Sequence, residues 1–254
     1  MDDMTIIYKA LGETPLEALE NFRAKKAISP DIPMTYAGRL DPMAEGLLLI
    51  LLGKKCKEKD QYLGLHKTYE FEILLGFSTD TYDLLGITTN SAIAENVVYS
   101  EEDIKITLKS FIGTNIFPYP VYSSKTHNGE PLFVHARRGE SEHIEIPTRD
   151  MTVYGASITS EKNLDKSNLI LEINSKIDKV SGDFRQSEIK SQWATTVENS
   201  PEGKEFLILK GEMSVASGTY IRTIVNELSK KLGIPMVLFS LKRTKIGEFE
   251  TISK

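Results

Sequence analysis

Thr35-Tyr36-Ala37-Gly38-Arg39-Leu40-Asp41-Pro42-Met43-Ala44-Glu45-Gly46 leads without a break into an apolar run, Leu47 to Leu52. The run has the length and composition of a buried strand. Just before it one carboxylate, Asp41, stands in a glycine-bounded turn, with Arg39 two residues away. A carboxylate at the mouth of an apolar strand needs a cation or hydrogen-bond donors to stay charged. Asp-Pro also begins ordinary turns, the aspartate capping and the proline fixing φ. Spacing alone leaves both readings open, although Gly46 leaves little room for a helix to be capped.

Working outward, Thr5–Lys9 reads as a short strand, followed by a turn at Gly12. Thr14-Pro15-Leu16-Glu17 is a capping box with proline at the first helical position. Leu16, Leu19 and Phe22 then recur at helical spacing. Tyr69, Phe71, Ile73 and Leu75 alternate, which predicts a strand with one face buried. A helix is predicted after Ser100, with Ile104, Leu108 and Phe111 on one face. Residues 118–149 form a long excursion with four prolines and three histidines, His127, His135 and His143. Loops of that length inside a compact domain are usually functional or disordered. Strands are expected at 151–159, 168–174, 205–216, 236–241 and 246–252. Residues 176–204 are polar and read as an aperiodic surface insertion. The last helix follows Ser217-Gly218-Thr219, has an apolar stripe of Ile221, Ile224, Val225, Leu228 and Leu232, and ends at Gly233 and Pro235. Strands punctuated by helices predict one α+β domain over 1–254, built on a mixed or antiparallel sheet.

The 254 residues carry a net charge of -5, with 40% hydrophobic and 26% charged residues, an ordinary globular composition. The single cysteine, Cys56, excludes an intrachain disulfide framework and a cysteine-based zinc cluster. The three histidines of the excursion lack helical metal spacing, so no metal is expected. Leu47–Leu52 is far short of the roughly 20 apolar residues a membrane span needs. With an acidic Met1-Asp2-Asp3 start, the chain is expected to be cytoplasmic.

Arg222 falls in the first turn of the last helix, where a cation opposes the helix dipole by about 0.3–1 kcal/mol. Either this arginine is solvated and its penalty screened away, or a carboxylate or phosphate compensates it, and the sharper of these readings pairs it with Asp41 across the fold. Tyr69, at a strand's mouth, is either core or a platform for a base, worth about 1–3 kcal/mol when it stacks. Tyr220 has the same ambiguity. Between Arg222 and Lys245 six cations (Arg222, Lys230, Lys231, Lys242, Arg243 and Lys245) face one acid, Glu227. That pattern predicts a basic C-terminal surface on an acidic protein.

These segments together resemble the TruB-type tRNA pseudouridine synthases over nearly the whole chain. The likeness is carried by the Asp41 stretch, by Lys67-Thr68-Tyr69 with Leu75-Gly76, and by Thr79-Asp80-Thr81-Tyr82-Asp83. It continues through Pro120-Val121-Tyr122-Ser123-Ser124-Lys125, Gly129 and Ala136-Arg137 to Ser217-Gly218-Thr219-Tyr220-Ile221-Arg222. The resemblance implies a pseudouridine synthase fold: a long sheet, flanking helices and a catalytic cleft, with 118–149 as a thumb that grips RNA. It implies that the uridine of the tRNA T-loop is isomerised without a cofactor or metal. Asp41 would be the nucleophile, Arg222 would hold it ionised and oriented, and Tyr69 would stack on the flipped uracil. Tyr220 and Leu241 would line the base pocket, while Tyr36, Lys67 and Arg243 would contact substrate. The partner implied is the T-arm stem-loop of tRNA, bound by a monomer.

Three features depart from the family pattern. Tyr36 stands where bacterial members have a histidine. Arg39 replaces a small residue, giving an Arg-Leu-Asp found in the related RluA-type synthases. Little sequence follows Leu241-Lys242-Arg243-Thr244, so no C-terminal PUA domain is expected. The alternatives are a pseudouridine synthase acting on another RNA and a non-catalytic tRNA-binding or folding module. A third, an Asp41-based small-molecule hydrolase, has no visible partner acid or base.

Overall fold

A computed structural model describes residues 3–91, 100–141 and 143–250. In chain order its elements begin β1 (Met4–Lys9), α1 (Pro15–Lys25), β2 (Met34–Ala37), β3 (Ala44–Leu52), α2 (Lys59–Leu63) and β4 (Lys67–Leu75). They continue with β5 (Phe77–Thr79), β6 (Thr88–Ser91), α3 (Glu101–Lys109), β7 (Gly113–Pro118), β8 (Thr126–His127), β9 (Glu130–Pro131) and α4 (Leu132–Arg137). The chain then forms β10 (Thr148–Leu164), α5 (Lys166–Ile177), α6 (Gln186–Glu198), β11 (Phe206–Val215), α7 (Ile221–Leu232), β12 (Met236–Ile246) and β13 (Phe249–Glu250).

One mixed sheet organises the molecule, in the order β1-β3-β12-β4-β11-β10-β7. Only the β3–β12 pair is parallel among these neighbours. The apolar run behaves as its composition demands. Leu48, Ile50 and Leu52 pack under α1 on one face, and Leu47, Leu49 and Leu51 join Ile246 on the other. A strand buried on both sides needs no polar alternation. In β4 the alternation is real: Tyr69, Phe71, Ile73 and Leu75 enter a core with α3 and α7. Thr14 caps α1 in a complete capping box, and Gly233 ends α7 at φ +69.

The β3 edge is shared, and this places the catalytic candidate. β12 pairs with the first residues of β3, Ala44–Gly46, while β2 takes Leu49–Leu52. The ladder therefore forks near Leu47. Into the fork Arg243 donates its Nε–H to the Leu47 carbonyl at 2.8 Å. The Asp41 loop, joining β2 to β3, sits at this fork.

Several expectations are corrected. Residues 168–174 are helix α5, not a strand: Leu169, Ile173 and Ile177 recur every four residues and are buried, while Leu171 faces solvent. The 176–204 stretch is not an aperiodic surface piece, because α6 buries Ile189, Trp193 and Val197 in the second core. Leu16 is exposed, and the α1 contacts come from Ala18, Leu19 and Phe22. The two C-terminal strands are one long strand, β12, followed by β13; positions 251–252 lie outside the described residues. The 118–149 excursion holds a β8–β9 hairpin and helix α4, with Leu132 and Ala136 buried. The basic C-terminal surface does not form, since Arg222 and Arg243 are buried and Lys230 and Lys245 pair with Glu227 and Glu250. Among the described residues no helix is long and apolar enough to cross a membrane.

Trp193 ties α6 to the sheet. It packs on Phe77 at 5.2 Å between ring centres and donates its indole N–H to the Leu84 carbonyl. Trp193→Ala should cost about 3–5 kcal/mol, as large aromatic truncations in closed cores do. Urea unfolding followed by circular dichroism checks this; a loss below about 1 kcal/mol would fit a surface helix instead.

Candidate active site

The Asp41 loop is fastened from beneath. Leu40 and Met43 are buried. The Gly12 N–H donates to the Pro42 carbonyl, the buried Lys9 ammonium donates to the Ala44 carbonyl, and Arg243 Nη1 donates to the Arg39 carbonyl. Gly46 is required by this packing. Its φ is +111, and a Cβ there would lie 2.2 Å from the Arg243 carbonyl oxygen. Lys9 and Lys67 are both held at about 8, well below an ordinary lysine; burial is the cause in Lys9, with burial and then Arg243 in Lys67.

Above this floor Asp41 meets Arg222. The Nε of Arg222 donates to Asp41 Oδ2 at 2.9 Å. The Asp41 side chain remains 39% exposed, open to a ligand, whereas that of Arg222 is 5% exposed. The rest of the guanidinium is also bound, with Nη1 donating to the Thr81 carbonyl at 3.1 Å and Nη2 to the Tyr122 carbonyl at 3.0 Å. The oddity of a cation at the start of α7 is thereby explained: this arginine is a buried connector. Burial opposes its charge, but Asp41 and then Asp83 carry its pKa upward overall.

Asp83 is a site residue that sequence reading left without a role. It is buried, and its Oδ1 accepts from Thr81 Oγ1 at 2.8 Å and from the Leu85 N–H at 2.9 Å. Burial raises its carboxyl to about 6, against the opposing pull of Arg222. The Thr79–Asp83 motif was the available signal, but only the fold brings it beside Arg222.

Asp41 and Arg222 open onto a cleft of about 880 Å³. Tyr69, Tyr220, Tyr36 and Leu241 all line it. Tyr220 meets Tyr119 edge-on, their ring centres 5.8 Å apart. Lys59 lies over the ring of Tyr36 at 5.5 Å. Lys67 and Arg243 border the cleft too, but they differ from the expected substrate contacts. Lys67 is buried and spends its ammonium on the carbonyls of Leu63 and Leu65 and on Ser217 Oγ; Arg243 binds backbone carbonyls. Both build the wall. The exposed cations of the cleft are instead Arg39, Arg137 and Arg149. Arg39 reaches across to Ser124 Oγ at 2.5 Å. Phe184 and Arg185, from the stretch read as surface, also line the cleft.

Asp83 sets a pH dependence of stability. Its folded pKa of about 6 exceeds the ordinary 3.8, so its contribution is fully present below 3.8 and is lost as pH rises through about 6. Relative to Asp83→Asn, the wild type should therefore lose up to about 3 kcal/mol of unfolding free energy across that window. Denaturant titrations of both proteins at a series of pH values check this. A constant difference would show that Asp83 does not titrate there.

The sequence profile of the TruB family pseudouridylate synthases (N terminal domain) matches residues 26–182. A tRNA pseudouridine synthase B of Ligilactobacillus salivarius is 31% identical over 98% of this chain and 69% of its own length. The corresponding protein of Chloroherpeton thalassium is 28% identical over 99% of this chain and 88% of its length, and that of Blochmanniella floridana 30% over 84% and 65%. Among solved structures, Cbf5 complexes are similar in fold. A Cbf5-Nop10-Gar1 crystal structure gives a TM-score of 0.58 at 17% identity, covering 98% of this chain and 50% of that one. An H/ACA RNP bound to a substrate RNA containing 2'-deoxyuridine gives 0.55 at 17%, over 98% and 49%.

Proposed function

This chain belongs to the TruB family of pseudouridylate synthases, and we propose that it isomerises the T-loop uridine of tRNA to pseudouridine with Asp41 as the reacting carboxylate. The observation that carries this reading is the 2.9 Å pair between Asp41 Oδ2 and Arg222 Nε at the base of an open cleft. A carboxylate aimed at RNA gains nothing in a pure binding protein, because phosphates repel it. As a nucleophile it is oriented by a buried guanidinium whose other nitrogens are themselves hydrogen-bonded.

The reaction is a rearrangement within one nucleotide. The bond between N1 and C1' of the ribose breaks, the uracil turns, and C5 bonds to C1'. The C5 proton leaves and N1 ends protonated, so atoms balance without an oxidant or acceptor. Reaching this bond requires the base to leave its stack, at a cost of a few kcal/mol. Tyr69 offers a face for the extruded uracil, while Tyr220 and Leu241 confine it. Arg39, Arg137 and Arg149 supply positive charge along the cleft for the phosphates. Tyr36, with Lys59 over its ring, lines the cleft and stacks on the opened loop.

Two outcomes are expected with a T-arm stem-loop as substrate. The wild type should form pseudouridine, scored by chemical mapping or mass spectrometry, and Asp41→Asn should form none. An inactive wild type, or an active variant, would remove the reading. Stem-loop affinity should fall steeply with salt, and Arg39→Ala should weaken it while making the log–log salt slope shallower by about 1. An unchanged slope would take Arg39 off the phosphate path.

A further inference from the structure

The segment between α5 and α6 has no task in the reaction described above. Its backbone is nonetheless unusual. Arg185, the residue before α6, sits at φ +63, a left-handed conformation costly for a long side chain. The side chain held in this way reaches back to the catalytic cleft. Its guanidinium lies 4.9 Å from the centre of the Tyr122 ring, and its Nη2 donates to Asp80 Oδ2 at 2.9 Å. A solvated arginine would need neither the strained backbone nor the two partners.

Both partners adjoin the atoms that hold Arg222. The carbonyl of Tyr122 itself accepts from Arg222 Nη2, and that of Thr81, next after Asp80, accepts from Nη1. Asp80 is fixed in turn by the Ile87 N–H, which donates to its Oδ1 at 2.8 Å. The same segment also grips the 118–149 excursion, where Arg137 of α4 donates to the Asp183 carbonyl at 2.9 Å. The pieces of chain that converge on Arg222 thus share a second fastening, one layer further from Asp41.

We propose that Arg185 is a positioning residue: by stacking on Tyr122 and pairing with Asp80 it fixes the two carbonyls that orient Arg222, and through Arg222 the carboxylate of Asp41. The inference rests on reading Asp41 and Arg222 as the reaction centre. The planar guanidinium matters because it stacks and pairs at once; lysine would keep the charge and lose the plane.

The test compares wild type, Arg185→Gly, Arg185→Lys, Tyr122→Leu and the double variant Arg185→Gly/Tyr122→Leu. Glycine relieves the left-handed strain, so Arg185→Gly should unfold at the wild-type temperature or above. Its single-turnover rate at saturating enzyme on a T-arm stem-loop should fall by about tenfold to a hundredfold, the scale of a small misplacement of a reacting group. Stem-loop affinity should hold, Arg185→Lys should restore little, and the double variant should be no slower than the slower single variant. A wild-type rate in Arg185→Gly would overturn the proposal. So would a loss confined to affinity, which would make Arg185 a phosphate contact, or a rate that follows the unfolding temperature, which would make it merely structural. A second readout needs no RNA. The Arg222 Nε–H resonance, assigned by its absence in Arg222→Lys, should exchange with solvent faster in Arg185→Gly; unchanged exchange also overturns the proposal. If the wild type modifies no RNA, the reaction reading fails while this exchange still decides the brace.

Discussion

Everything at the site depends on burying one guanidinium. Removing an arginine from water costs on the order of several kcal/mol unless its donors are matched. Arg222 meets that demand with Asp41 and the carbonyls of Thr81 and Tyr122. These partners come from three segments far apart in sequence. The same bonds that make burial tolerable therefore bring the Asp41 loop, the 79–83 loop and the start of the excursion to one point. The carboxylate is oriented as a consequence of solvating the arginine without water.

Beneath it, buried cations do for the backbone what Arg222 does for the carboxylate. Lys9 and Arg243 donate to the carbonyls of Arg39, in the turn before β3, and of Ala44 and Leu47, in the first half of β3. The sheet needs them there because its ladder divides at Leu47 between β12 and β2. A fork leaves carbonyls unpaired, and unpaired buried carbonyls are costly. Arg243 serves one of them directly. The irregularity that gives the Asp41 loop its room is thus made tolerable by one side chain from the far end of the sequence, Arg243.

Much of this was legible beforehand. The capping box at Thr14, the alternation through Tyr69 and the stripe of α7 specify local structure by local means, and they form as read. The pairing of Asp41 with Arg222 was also accessible, because a cation at a helix start demands an explanation. Other features were hidden for physical reasons. Leu169, Ile170, Leu171 and Ile173 are dense enough in apolar residues to suit strand or helix, and only packing decides between them. Ile189, Trp193 and Val197 mark one helical face, but polar neighbours dilute the signal. Counting charges along the chain produced a basic surface because a linear count cannot register that Arg222 and Arg243 turn inward. Asp83 and Arg185 acquire meaning only when distant loops are brought together.

The separation of these partners along the chain bears on biosynthesis. The Asp41–Arg222 bond spans 181 positions and the Arg243–Arg39 bond 204. During translation, at about 5–20 residues per second, the turn holding the carboxylate leaves the ribosome well before either arginine exists. Until then the turn has the Gly12 N–H and the Lys9 ammonium for its carbonyls, while Asp41 lacks Arg222 and the Arg39 carbonyl lacks Arg243. The Asp41–Arg222 pair and the floor beneath it cannot form piecemeal: α7 and β12 must arrive first, so a nascent chain carrying the full N-terminal motif still lacks both arginines. Such long-range closure also belongs to the slow end of the folding spectrum, and it makes catalytic competence a report that nearly all of the chain has folded.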